Sequence, residues 1–188
     1  IRPVERTGNS TVVSAGHIRE ARGLSSNPIT DTSFAISSPV SRIAWQTPAA
    51  ILEKIIAYEA VHAINGWEDL RRRLDPADRR CFAFFHPSLV DEPLIFVEVA
   101  LTREIPAAIG PLLSAKHETA DTSDPQTAVF YSISNCQEGL KGISFGNFLL
   151  KQVVEELARE KPTLTTFVTL SPVPHFARWL DRMVASDQ

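Results

Sequence analysis

The sequence predicts an α/β (α+β) fold in which helices flank a mixed β-sheet. Two observations lead to this class. Short segments rich in β-branched and aromatic residues alternate with segments whose apolar residues recur at helical spacing. The resulting order is strand, two helices, a strand hairpin, a further strand, a glycine-rich turn, a helix, a strand and a helix. No internal repeat interrupts this order.

The first predicted elements are one short strand and two helices. Arg42–Trp45 is a strand candidate. Thr47 and Pro48 then supply a helix N-cap and a proline at the first helical position. Apolar residues recur at helical spacing from residue 48 to about 62, and Trp67–Leu74 forms a second, shorter helix.

The middle of the chain predicts three strands. Cys81–His86 and Leu94–Leu101 are apolar and are joined by a short loop that contains proline and acidic residues, which is typical of an antiparallel hairpin. A short helix, interrupted by glycine and proline, is predicted within Ile105–Leu113. Thr127–Ser134 is the third strand.

The remaining elements follow a glycine-rich turn, Asn135–Asn147. Phe148–Glu160 carries apolar residues on one face and predicts a helix. Leu164–Leu170 is a further strand. The last helix is predicted over His175–Val184.

The first 41 residues differ from the rest of the chain. They are rich in Ser, Thr, Asn and Arg and show no sustained period, so we expect residues 1–41 to be a flexible or atypical segment and residues 42–188 to form the folded domain. The chain begins with Ile1 rather than Met. We therefore expect the 188 residues to be part of a longer protein.

The composition argues against several functional classes. A formal net charge of −3 argues against electrostatic binding of nucleic acid or of an anionic membrane. No apolar run approaches the roughly 18–20 residues needed to span a bilayer. Two cysteines cannot form a disulfide scaffold and suit a reducing compartment. The five histidines lack metal-site spacing, so no metal is expected.

Two segments are candidates for ligand binding. Asn135–Asn147 joins a strand to a helix through three glycines, and such a turn lets backbone N–H groups approach an anion, to which Lys141 could add a phosphate contact. A purely structural turn is an equal alternative. Ser171 follows a strand, at the sheet edge where α/β proteins bind ligands. The alternative is that Ser171 caps the last helix.

Four further features are expected to be structural. Glu98 lies in an apolar strand, and alternation predicts that it faces solvent. The run Arg71–Arg73 is expected on a solvated helix face, with phosphate binding as the minority alternative. His62 is expected at the end of the first helix, where a cation suits the helix dipole. Cys136 is expected to be a turn cysteine, and reactivity near the candidate anion site is a low-priority alternative.

The residues from Arg42 to Leu180 resemble the catalytic domain of malonyl-CoA decarboxylases. The sequence is more similar to the bacterial branch of the family than to the animal branch. The resembling runs are RIAWQTPAAILEKIIAYEAVHAINGWEDLRRRL, DRRCFAFFHPSLVDEPLIFVEVALT, TAVFYSISNCQEGLKGISFGNFLLKQVVEEL and TFVTLSPVP. They cover about three quarters of the chain, and the similarity is nearly continuous.

The resemblance implies a GNAT-type, acetyltransferase-like fold. It also implies an enzyme that converts malonyl-CoA to acetyl-CoA and CO₂. In this fold the turn before the third helix binds the CoA pyrophosphate, and the sheet splays to admit the pantetheine arm. The malonyl-CoA-binding segment corresponds to Lys141, Gly142, Ile143, Ser144, Phe145, Gly146 and Asn147. The catalytic serine corresponds to Ser171. No metal or organic cofactor is required, because CoA is part of the substrate and the thioester accepts the electrons.

The chain departs from the family pattern in four respects. The family's catalytic histidine and the last strands of the fold are expected beyond Gln188, and residues 1–41 do not resemble the family's helical N-terminal domain. His175 stands where the family usually has Gly. A truncated domain is therefore expected. The resemblance also implies that the full-length protein is a homo-oligomer, located in the cytoplasm or, in a eukaryote, in mitochondria. An acetyl-CoA-dependent acyltransferase and an inactive CoA-binding fragment remain as alternatives.

Overall fold

A computed structural model of the chain describes residues 13–17, 40–114, 124–140, 146–173 and 175–186. The described strands are β1 (Val13–His17), β2 (Val40–Ile43), β3 (Arg79–Phe85), β4 (Pro93–Thr102), β5 (Thr127–Asn135) and β6 (Thr166–Pro172). The described helices are α1 (Ala49–Tyr58), α2 (Trp67–Leu74), α3 (Gly110–Leu113), α4 (Gly146–Glu160) and α5 (Phe176–Ser186), and Glu138–Leu140 forms a short 3₁₀ turn.

The six described strands form one mixed sheet in the order β1-β6-β5-β4-β3-β2. Neighbouring strands are antiparallel except β5 and β6, which run parallel because α4 carries the chain back across the sheet between them. The predicted hairpin is the β3–β4 pair. The predicted fold class, a mixed sheet with flanking helices, is confirmed, and the elements from β2 onward occur in the predicted order.

Helices cover both faces of the sheet. On one face, α4 packs on apolar residues of β3, β4 and β5; on the other, α1, α2 and α3 pack on the residues that alternate with them. The side chains of β4 illustrate this arrangement, since Val97 belongs to the α4 layer and Phe96 to the α1–α2 layer, and neither is exposed. Covering both faces removes solvent from the centre of the sheet.

Several boundaries differ from the predicted ones. Strand β1 was not predicted, because the segment around it shows no strand pattern; its backbone pairs with β6 at the sheet edge. Helix α1 ends at Tyr58 instead of near residue 62, and α3 is a single turn. Strand β6 begins and ends two residues later than predicted, so that Ser171 is part of it. The division of the chain at residue 41 stays a prediction.

Candidate active site

The parallel strands β5 and β6 separate before they end. They pair only where Thr127–Phe130 lies beside Thr166–Thr169. Beyond these residues a cavity of about 70 Å³ lies between the two strands. We refer to it as the β5–β6 cleft, which is lined by Phe130, Tyr131, Ile133, Leu170, Ser171, Pro172 and, from the loop after α1, Val61. A parallel sheet that separates in this way offers a slot that an extended ligand can enter.

A β-bulge at Tyr131 accounts for the separation. Opposite β4, Val99 pairs with Phe130 and Glu98 pairs with Ser132, which leaves Tyr131 as the extra residue of β5. A bulge bends its strand and increases the local twist. Because the bulge directly follows the last residue paired with β6, we attribute the β5–β6 cleft to it.

Ser171 lies on the β6 wall of the cleft. It is exposed, and its Cα lies opposite that of Ser14 in β1. Helix α5 begins five residues later, at Phe176, so Ser171 does not cap this helix. The structure thus excludes the capping alternative and places Ser171 at the cleft.

His175 precedes α5 and has a left-handed backbone, with φ of 66°. Its carbonyl accepts the N–H of Trp179 at 2.9 Å, in the first turn of the helix. Glycine adopts positive φ without strain, whereas other residues do so rarely, with His among the more frequent exceptions. This backbone conformation gives a physical reason for the glycine that the family resemblance implies at position 175.

Most of the predicted CoA-binding segment lies outside the described residues. This applies to Lys141, Gly142, Ile143, Ser144 and Phe145. Gly146 and Asn147 are the first two residues of α4, two residues before the predicted start of that helix. The segment therefore leads directly into a helix N-terminus, and its proposed role in phosphate binding stays a prediction.

A hydrogen-bonded carboxylate that was not predicted, that of Glu59, lies beside the cleft. Glu59 Oε1 accepts the backbone N–H groups of Val61 and His62, each at 2.8 Å. The hydroxyl of Ser132 donates to the two carboxylate oxygens of Glu59 at 2.7 and 2.8 Å, and that of Ser134 donates to Oε2 at 3.2 Å. The two polar residues at alternate positions of an apolar strand were the signal in the sequence, since buried hydroxyls require partners.

The position of Glu98 corrects the prediction that it faces solvent. Its side chain is fully buried, and Oε2 accepts a 3.0 Å hydrogen bond from Arg73, which is also buried. The prediction from alternating residues failed because helices cover both faces of β4, so that neither face of this strand is in contact with water. Burial raises the pKa of Glu98 from 4.5 to about 7, and the nearby Arg73 opposes that shift.

The same ion pair corrects part of the prediction for the arginine run. Arg71 is exposed and bonds Asp75 at 3.2 Å, whereas Arg73 points into the protein. The run is therefore not a uniform solvated face. A helix of two turns directs residues two positions apart to different sides, and only the outer ones reach solvent.

His62 also differs from expectation, whereas Cys136 agrees with its low priority as a reactive residue. Since α1 ends at Tyr58, His62 does not lie at a helix terminus; its ring is half-buried and packs 6.5 Å from that of Tyr131. Burial lowers the pKa of His62, with Glu59 opposing the shift. Burial raises the pKa of Cys136 to about 12, which argues against a reactive thiolate.

Two features are absent from the described part of the chain. No helix in it is both long and apolar enough to cross a membrane. Within the same residues, no three His, Cys, Asp or Glu side chains converge in a way that could hold a metal ion.

Comparison with known proteins gives consistent matches. A family model described as the malonyl-CoA decarboxylase C-terminal domain matches residues 39–188. The crystal structure of malonyl-CoA decarboxylase from Agrobacterium vitis is 67% identical, with a TM-score of 0.72 over 77% of this chain and 35% of that one. The enzyme structure from Rhodopseudomonas palustris is also 67% identical, with a TM-score of 0.71 over 79% of this chain and 36% of that one.

Curated relatives agree with these matches. The mitochondrial malonyl-CoA decarboxylase of the goose Anser anser anser is 39% identical over 176 residues, which is 93% of this chain and 35% of the relative. The chain thus spans about a third of the length of the curated relatives it matches. The sequence identity is higher with the bacterial structures than with the animal enzymes, as predicted from the sequence. The chain belongs to the malonyl-CoA decarboxylase family.

Proposed function

We propose that the protein decarboxylates malonyl-CoA to acetyl-CoA and CO₂. The observation that carries the proposal is Ser171 on the wall of the β5–β6 cleft, in a chain that belongs to the malonyl-CoA decarboxylase family. The cleft suits the pantetheine arm of the substrate, since it is narrow and is bounded mainly by apolar side chains. The segment from Lys141 to Asn147 is proposed to bind the phosphates at the start of α4.

The chemistry requires one bond to break and one to form. The bond between the α-carbon and the carboxylate carbon breaks, CO₂ leaves, and the electron pair passes to the thioester as an enolate. A proton then adds to the α-carbon and gives acetyl-CoA. The site must hold the carboxylate out of the thioester plane, donate hydrogen bonds to the enolate oxygen and supply the proton.

We assign Ser171 the role of orienting the malonyl carboxylate. An oriented hydrogen-bond donor of this kind typically lowers a barrier by about 3 kcal/mol. From the family resemblance, the proton donor is a histidine that follows Gln188 in the full-length protein. The thioester itself accepts the electrons, so the proposed reaction uses no metal or organic cofactor.

The test is to supply malonyl-CoA alone and to measure CO₂ and acetyl-CoA. Their formation without any amine acceptor supports the proposal. A requirement for an amine, with transfer of an acyl group to it, would instead identify an acyltransferase, since related folds support different chemistries. Binding of CoA without turnover, even after the downstream segment is supplied, would identify a CoA-binding protein.

Three finer statements accompany the proposal. Malonyl-CoA is its small-molecule partner, and we propose a homo-oligomer for the full-length protein, which light scattering would test. We also propose that the protein works in the cytoplasm, or in mitochondria if its source is eukaryotic, as the curated relatives from goose and mouse are named mitochondrial. The two free cysteines suit either reducing compartment.

A further inference from the structure

Glu59 connects the loop after α1 to the strand that forms one wall of the β5–β6 cleft. Its carboxylate accepts the backbone N–H groups of Val61 and His62, each at 2.8 Å, and thereby fixes the turn that follows α1. Hydrogen bonds from N–H and O–H groups to an ionised carboxylate are stronger than those between neutral groups. The turn therefore has a defined shape as long as the carboxylate is present.

The same carboxylate is bound to β5. Ser132 and Ser134, each 1% exposed, direct their hydroxyls at it, and Ser134 also accepts the N–H of Ala60 at 3.1 Å. Ser132 lies between Tyr131 and Ile133, both of which line the cleft. The turn after α1 and the cleft-lining part of β5 are thus held together by one buried polar network.

The network determines the position of Val61. This residue lines the cleft from outside the sheet, and its N–H is one of the groups that Glu59 binds. Without the carboxylate, the turn loses its two internal hydrogen bonds and the bonds through Glu59 to both serines, and it keeps only the bond from the Ala60 N–H to Ser134. Val61 is then free to move relative to β5, and the cleft must be ordered again when a ligand enters it.

We propose that Glu59 is a positioning residue that preforms the β5–β6 cleft for the acyl-pantetheine arm of the ligand. The inference rests on the proposed function, because it takes an acyl-CoA as the ligand of the cleft. Glu59 acts through Val61 and β5 rather than by touching the reacting atoms. Preorganised sites bind more tightly because the ligand does not have to order them.

The test compares two ligands on the chain by isothermal titration calorimetry. Acetyl-CoA carries the pantetheine arm, whereas adenosine 3′,5′-bisphosphate carries the nucleotide without it. We expect Glu59→Ala to weaken acetyl-CoA binding about tenfold, because the cleft is no longer preorganised. The affinity for the nucleotide should stay close to its original value. A general loss of structure would weaken both ligands alike.

Two further variants complete the design. The double variant Ser132→Ala, Ser134→Ala removes the attachment to β5 but leaves Glu59 in place, so it replaces Glu59→Ala if that variant does not fold; the same selective loss is expected. The matched control is Glu92→Ala. That carboxylate contacts Lys54 of α1 at 2.7 Å, does not line the cleft, and should affect neither ligand.

The outcomes separate this inference from the proposed function. Selective weakening of acetyl-CoA in Glu59→Ala or in the double serine variant supports it. Equal weakening of both ligands, or no weakening, overturns it while the proposed function stands. If the unaltered chain does not bind acetyl-CoA even with the downstream segment supplied, both are overturned.

Discussion

Arg73 of α2 donates a 3.0 Å hydrogen bond from Nη1 to Oε2 of Glu98 in β4, and their side chains are 5% and 0% exposed. Arg73 also donates from Nη2 to the carbonyl of Ala63 at 3.1 Å and lies 3.7 Å from Oδ2 of Asp69. One buried cation therefore serves two carboxylates. It attaches α2 and the preceding loop to the centre of the sheet.

Replacement of this arginine is expected to destabilise the fold. Arg73→Met keeps an unbranched apolar stem but leaves Glu98 without its paired charge in a buried position. Removing one partner of a buried ion pair typically costs about 3–5 kcal/mol, and urea denaturation of the chain measures the free energy of unfolding.

An exposed ion pair provides the control for that measurement. Arg159 is 72% exposed and pairs with Glu156 one turn earlier in α4. Exposed pairs of this kind contribute little, so Arg159→Met should change the free energy of unfolding by less than about 0.5 kcal/mol. Similar losses in the two variants would contradict a special role for the buried pair.

Glu98 also predicts a pH dependence of stability. Burial raises its pKa in the folded protein to about 7, above the ordinary value of 4.5. The folded state therefore holds the proton more tightly than the unfolded state. The contribution of Glu98 to the free energy of unfolding is complete below pH 4.5 and is lost as the pH rises to about 7, with a slope of at most about 1.4 kcal/mol per pH unit.

The variant Glu98→Gln isolates this effect, because glutamine does not titrate. His62 has a lowered pKa, and its contribution has the opposite sign, increasing as the pH rises toward 6.5. It is common to both proteins and cancels in their difference. Urea denaturation at several pH values between 4.5 and 7 should give a steeper fall for the unaltered chain; parallel profiles would refute the assignment.

The sequence predicted those elements that are marked by local signals. Helix α2 has the predicted bounds, because Gly66 precedes it and Asp75 and Pro76 follow its last turn. The β3–β4 hairpin follows from two apolar segments and a short loop. Such signals act over a few residues and need no knowledge of distant parts of the chain.

What the sequence could not predict depends on contacts between distant residues. Glu98 is buried because helices cover both faces of β4, and its partner Arg73 lies 25 residues earlier. Helix α1 ends early because Glu59, the residue after its last turn, binds Ser132 on β5. The β5–β6 cleft depends on the bulge at Tyr131, which has no local signature. Ser171 was assigned from a resemblance, and its role stays a prediction.

Both cysteines are expected to resist alkylation in the folded chain. Burial raises the pKa of Cys136 to about 12, and burial also raises that of Cys81, which is fully buried, well above its usual value. The thiolate, not the thiol, reacts with iodoacetamide, so little labelling should occur near pH 8. Mass spectrometry measures the labelled fraction, and both residues should react in urea. Rapid labelling of native Cys136 would contradict the environment described for it.

Ser171→Ala is expected to reduce turnover of malonyl-CoA by about 10²-fold or more, because the variant lacks the hydroxyl proposed to orient the carboxylate. The measurement is CO₂ release from malonyl-CoA by the protein in its catalytically competent, full-length form. Since Ser171 is exposed at the end of β6, the substitution leaves the core untouched, and the thermal midpoint should stay close to that of the unaltered protein.

The control for Ser171→Ala is Thr169→Ala, which removes a hydroxyl two residues earlier on the same strand. Thr169 pairs with Phe130 before the two strands separate and does not line the cleft. Its loss should leave turnover close to that of the unaltered protein. If Ser171→Ala also turns over malonyl-CoA at a near-normal rate, the hydroxyl does not orient the substrate. The assignment of Ser171 as the catalytic serine would then have to be abandoned, even though the chain belongs to the family.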